Sequence, residues 1–179
     1  MGMTLTTQNT QLPATMDDLA KFVLIGRDRM AAVRAEITAI NRLGLAQEVR
    51  EQKLAEAQQI SEVVLDAEVK LGQLIAAMPT AQGARTDVEH SNNAVTKFEA
   101  LKEIGFDKMQ ANRLETLAKH PEVVAQAKVE ARENDDIVSR SFVLEKIKAK
   151  QKAEQIEQAK ESIAAQAREF DHRPVIHIA

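Results

Sequence analysis

The sequence predicts an all-α protein, and three observations carry that prediction. Apolar residues recur at spacings of three and four along most of the chain and do not alternate. The chain holds only four Pro and six Gly, too few to punctuate many short strands. Aromatics make up 3% of its 179 residues, five Phe with no Trp or Tyr, so Ala, Leu, Ile and Val must fill the interior. That composition suits slender helix-on-helix contacts better than a thick globular core. Hydrophobic residues reach 44%, enough to bury a core and avoid compositional disorder.

Residues 1–15 are polar, rich in Thr and Gln, and are expected to form a flexible arm. A helix is expected to start near Thr15, with Asp17 and Asp18 opposing the positive end of its dipole. A helical oligomerisation module is then expected over 16–79. Met30, Val33, Ile37 and Ile40 form one apolar row; Ile60, Val64, Ala67, Leu71, Leu74 and Met78 form a second, longer one. The two rows are out of phase. Asn41-Arg42-Leu43-Gly44 between them reads as a stutter or, preferably, as the turn of a helical hairpin. Pro79 stops the second helix, and 80–93 reads as a linker.

Beyond the linker, 94–138 is expected to be a compact domain of short helices. Ser91 or Asn93 is placed to cap a first helix bearing Val95, Phe98, Leu101 and Ile104 and ending at Gly105. A second helix buries Met109, Leu114 and Leu117; a third starts at Pro121 and runs through Glu133. Asn134-Asp135-Asp136 breaks the chain before a long C-terminal helix at 139–170, where Ala149, Ala153, Ile156, Ile163, Ala167 and Phe170 make a weaker heptad row. Residues 171–179 read as a tail.

Composition also excludes function classes. The absence of Cys rules out disulfides, zinc knuckles, iron–sulfur clusters and thiol nucleophiles. No apolar run approaches a membrane span, and Met1-Gly2-Met3-Thr4-Leu5-Thr6-Thr7 lacks the regions of a signal peptide, so a cytoplasmic protein is expected. His172 and His177 in the tail are too few for a metal site, and Asp17-Asp18 and Asp135-Asp136 are explained by helix-start and turn chemistry. No catalytic residues, metal or cofactor are expected, and the chain is read as no enzyme. A net charge of −3 argues against a general polyanion binder. No third of the chain is basic either: 1–80 carries 8 basic and 10 acidic side chains, 81–133 carries 8 and 9, and 134–179 carries 8 and 8.

The informative segment is Leu101 to Leu114. A helix-turn-helix needs an apolar end to its first helix, then a residue that tolerates positive φ, an apolar turn residue and a small residue where the helices cross. Ile104, Gly105, Phe106 and Ala111 fill those places, and Asp107 is placed to cap the second helix. Lys108, Gln110, Asn112, Arg113 and Thr116 then fall on its outer side. Gln, Asn and Arg have the donor and acceptor geometry to read base edges, and Lys108 is suited to phosphate.

From Gly105 through Asn112, Arg113, Leu114, Leu117 and Ala118 to Pro121-Glu122-Val123, the chain resembles the helix-turn-helix of the ParB/KorB partition family. Ile137-Val138-Ser139-Arg140-Ser141 resembles the start of that family's next helix, so the resemblance covers about residues 95–148. It implies a recognition helix followed by a proline-led helix. The nucleotide-binding domain of partition proteins has no counterpart here, so segregation and CTP hydrolysis are not carried over. The chain as a whole resembles small proteins of phages and integrative elements. The expected function is therefore a DNA-binding accessory or regulatory protein of a phage or mobile element. It is expected to pair through the second apolar row to read two half-sites of double-stranded DNA. The alternative is a helical adaptor or inhibitor that binds another phage or host protein.

Overall fold

The computed structural model describes residues 11–44, 46–78 and 97–171. Those residues form six helices and no strand. The calls on residues 1–10, on the linker, on Ser91, Asn93 and Val95, and on the tail with His172 and His177 lie outside the described residues. So do the side chains of Phe98, Ala167 and Phe170.

Helix α1 (Met16–Leu43) begins where its cap predicts. The Thr15 hydroxyl oxygen accepts from the Asp18 N–H at 3.2 Å, with Asp17 and Asp18 in the first turn. It ends at Gly44, whose φ of 62° is left-handed and whose N–H donates to the Ile40 carbonyl. A side chain is strained there, which is why glycine closes the helix. Helix α2 (Gln47–Ala77) returns antiparallel to α1, so the hairpin reading of Asn41–Gly44 holds. Its ion pairs show the direction: Glu36 meets Lys53 at 2.7 Å, Arg29 meets Glu56 at 2.5 Å, and Arg27 meets Glu68 at 2.7 Å. The two helices touch closely at Gly26, where a β-carbon would lie 2.4 Å from Val64 Cγ2.

Three short helices follow: α3 (Lys97–Glu103), α4 (Lys108–Lys119) and α5 (Pro121–Glu133). All three lie within the same compact unit as the hairpin, which extends to Leu144. One core cluster joins Leu19 and Val23 of α1, Ala67, Leu71 and Ile75 of α2, Leu101 and Phe106 at the turn, and Ala111 and Leu114 of α4. Leu19, Leu71, Leu114 and Leu117 are fully buried, and each such side chain contributes roughly 1.5–3 kcal/mol. The closest approach is α4 on α2. A β-carbon at Gly72 would sit 2.1 Å from the Leu114 carbonyl oxygen and 3.0 Å from Ala118 Cβ. Helix α5 is tied to α2 from its polar side, Lys128 to Asp66 and Arg132 to Glu62.

This packing revises three expectations. The separate module at 16–79 and domain at 94–138 share one core, because α4 buries its apolar face on α2. Of the row expected to meet a second copy, Ala67 and Leu71 are fully buried within their own chain, while Ile60, Leu74 and Met78 are half-buried and Val64 is 8% exposed. The arm is also anchored at its inner end. Leu12 packs on the core, and the Lys70 ammonium donates to the Pro13 carbonyl at 2.6 Å.

Helix α6 (Arg140–Asp171) starts in the first unit and continues into a second, from Glu145 onward. The Ser139 hydroxyl oxygen accepts from the Phe142 N–H at 3.2 Å, capping its first turn. In the second unit, Ala149, Ala153, Ile156 and Ile163 of the weak heptad row are exposed.

Gly72→Ala tests the crossing. Ala is the better helix former by about 1 kcal/mol, yet its methyl meets a backbone carbonyl. A net loss of about 1–3 kcal/mol is expected in urea unfolding; unchanged or raised stability would mean that α4 does not cross α2 there.

Candidate functional site

The α3–α4 turn is built by local chemistry. Gly105, with φ of 83°, lets its own N–H donate to the Lys102 carbonyl at 3.1 Å and the Phe106 N–H to the Leu101 carbonyl at 2.9 Å. These are the two bonds of a glycine-closed helix end, and Leu101 and Phe106 supply its hydrophobic contact in the core. A β-carbon at Gly105 would meet only Leu24 Cδ1, at 3.9 Å, so the requirement for glycine is conformational. Lys97 pairs with Glu115 at 2.7 Å and fixes α3 against α4.

Helix α4 presents its residues unevenly. Ala111, Leu114 and Leu117 face the core; Lys108, Met109, Asn112 and Arg113 are exposed. Gln110 is spoken for. Its side-chain oxygen accepts from the Asp107 N–H at 3.0 Å while the Asp107 carboxylate accepts from the Gln110 N–H at 2.6 Å, a reciprocal capping box. The base-edge geometry expected of Gln110 is thereby limited to its NH2 group, since its oxygen is engaged in the cap. Thr116 is half-buried, and its hydroxyl donates back to the Asn112 carbonyl at 2.7 Å. That bond satisfies the hydroxyl hydrogen within the helix. Arg113 lies along α4, with Nη2 3.4 Å from Met109 Sδ. The outer face thus reduces to Lys108, Asn112 and Arg113, with Met109 among them.

A second polar group lies between α1, α2 and the start of α6. Glu68 is 3% exposed. Its Oε1 accepts from Arg27 Nε at 2.9 Å and Nη2 at 2.7 Å, and stands 3.6 Å from Arg140 Nη1. The Arg27 guanidinium also lies 5.7 Å from the centre of the Phe106 ring, linking the ion pair to the turn. Burial holds the Arg140 guanidinium below its ordinary pKa; Glu68 opposes that shift, and the positive charges of Arg27 and Arg113 add to it. Sequence reasoning misses this group, because a Glu inside a long polar helix reads as solvated. The one local signal is its place a single turn before Gly72, on the side where α2 is most closely approached.

Ile60 and Val64 of the expected oligomerisation row line an apolar groove with Phe22, Ile25 and Val63, about 320 Å³ in volume. Ile25 is 68% exposed. Leu74 packs on the main core and Met78 closes α2.

No family model matches the chain, and no similar curated protein or solved structure is found. Among the described residues, no helix is long and apolar enough to cross a membrane.

Replacing Glu68 by Gln removes the buried carboxylate that faces Arg27 and Arg140 and leaves both half-buried cations without it. A loss of about 3–5 kcal/mol is expected in denaturant unfolding. The triple change Glu68→Leu with Arg27→Met and Arg140→Met should recover much of it, since no charge of the group is then stranded.

Proposed function

We infer that this chain is a DNA-binding accessory or regulatory protein in which α4 enters the major groove. The observation that carries the reading is the division of α4: its inner face is fixed on α2 at the Gly72 crossing, while Lys108, Asn112 and Arg113 stand exposed on the outer face. A helix-turn-helix places its base-contacting side chains on that face of its second helix. The glycine-closed turn, the buried Phe106 and the capping box hold α4 rigidly, as a reading helix requires. Asn112 offers the paired donor and acceptor that match adenine, and Arg113 the fork that matches guanine. Exposed Lys102 and Lys119 flank the helix and suit phosphates on either side. The resemblance of about residues 95–148 to the partition helix-turn-helix supports the same reading.

The second reading, a helical adaptor for another protein, draws on the net charge of −3 and on the exposed Ile156 and Ile163 of α6. An acidic chain gains little from the polyanion field that drives non-specific DNA binding.

Fluorescence anisotropy over a salt series, with duplexes selected from a randomised pool, separates the two. Selected duplexes should bind, and Arg113→Ala or Asn112→Ala should each weaken binding by about 1–3 kcal/mol and relax sequence preference. Lys108→Ala should weaken all sequences alike and flatten the salt dependence. An absence of binding at low salt, or binding indifferent to all three changes, leaves the adaptor.

Pairing of two copies belongs to the same reading and rests on the groove at Ile25, Ile60 and Val63, because Ala67 and Leu71 are spent inside the chain. Ile25→Glu, an exposed change, should turn a dimer into a folded monomer in analytical ultracentrifugation. A monomer in the unchanged protein at micromolar concentration overturns the pairing.

A further inference from the structure

The arginines around Glu68 outnumber it. Glu68 is the single acid lining a cavity of about 270 Å³ that is also lined by Arg27, Arg34, Arg140, Ser139 and Ser141. That volume is several times the ~30 Å³ share of one water molecule. Glu68 Oε1 accepts both of the hydrogen bonds that Arg27 makes to it, at 2.9 and 2.7 Å, and stands 3.6 Å from Arg140, beyond hydrogen-bond reach. Arg140 Nη1 is buried and has no hydrogen-bond partner among the described residues. Arg34 is exposed at the rim and has no ion pair among them either. Three guanidiniums against one carboxylate leave the cavity with a positive excess, and a buried guanidinium N–H without an acceptor is rare in folded proteins.

The lining is complementary to an anion with several acceptor oxygens. Guanidinium groups match tetrahedral oxyanions through paired N–H donors. The Ser139 hydroxyl oxygen already accepts from Phe142 N–H, which leaves its hydrogen to donate, and Ser141 adds a second hydroxyl. The positive end of α6 starts beside them. We propose that this cavity binds a phosphate-type oxyanion, held by Arg140 and Arg34 with Ser139 and Ser141, while Arg27 stays on Glu68. None of the lining residues belongs to α4, although the charge of Arg113 is felt at Arg140, so a chain that never reads DNA can still hold phosphate here.

The test titrates the full chain with sodium phosphate while sodium chloride keeps the ionic strength fixed. Amide NMR signals of residues 139–142 should shift and saturate. Arg34→Gln and Arg140→Gln should each raise the phosphate Kd at least tenfold, with circular dichroism reporting an intact fold. Should Arg140→Gln unfold, Arg34→Gln carries the test, since Arg34 is exposed. A response that chloride reproduces, a response that never saturates, or an unchanged Kd in a folded variant overturns the proposal. Adding duplex DNA to the phosphate-bound protein distinguishes the sources of the same chemistry. Displacement of phosphate by duplex assigns the site to a backbone phosphodiester, and undisturbed phosphate assigns it to a free phosphorylated ligand.

Discussion

At Gly72 the backbones of α2 and α4 come so close that a β-carbon has no room, and the packing of the first unit is organised around that approach. Because α4 lies directly on α2, Leu114 and Leu117 are sealed in, and the turn before α4 must bring Phe106 down into the cluster that also holds Leu19 and Val23. Gly105 and the capping box at Asp107 are the local means by which the chain meets that demand. The same approach turns the opposite side of α4 outward. What that helix offers to a partner is set by what α2 takes from it.

Helix α2 is buried on more than one side, which explains why its chemistry is mixed. Alongside Leu65, Leu71 and Ile75 it encloses Ser61 and Glu68. A buried ion pair rarely adds stability over an apolar pair of the same size, because desolvation offsets most of the attraction. Glu68 therefore makes more sense as a device of position. It holds Arg27 at a fixed place beside the Phe106 ring and keeps the start of α6 near α1 and α2.

Local signals in the sequence translate well into structure here, and two-sided burial does not. Thr15, Gly44, Gly105, Asp107 and Pro121 each mark a helix end where the structure has one, since caps and left-handed turns depend on a few neighbouring residues. The row from Ile60 to Met78 predicts a single seam facing another helix, but spacing alone does not say whose helix that is. The structure answers with α1 and α4 of the same chain for Ala67 and Leu71. Gln110 shows a subtler gap. Asp107-x-x-Gln110 is the spacing of a capping box, and a polar residue engaged in one no longer has its oxygen to read with. Lys108, Asn112 and Arg113 stay exposed on the side of α4 turned away from α2, Arg113 lying along the helix beside Met109. The Arg27–Glu68–Arg140 group was illegible for a different reason, as its members come from three distant stretches of chain.

From Lys148 to Ala164 every residue of α6 is exposed. A helix without burial depends on propensity and on neighbouring pairs such as Glu157 with Lys160, 3.5 Å apart. Such a stretch sits close to its own helix–coil balance. Its amides should exchange with solvent through local fraying, at free energies far below those that protect the α2–α4 crossing. Any partner that bound this stretch would first have to stop that fraying, so its affinity would carry the ordering entropy of the helix.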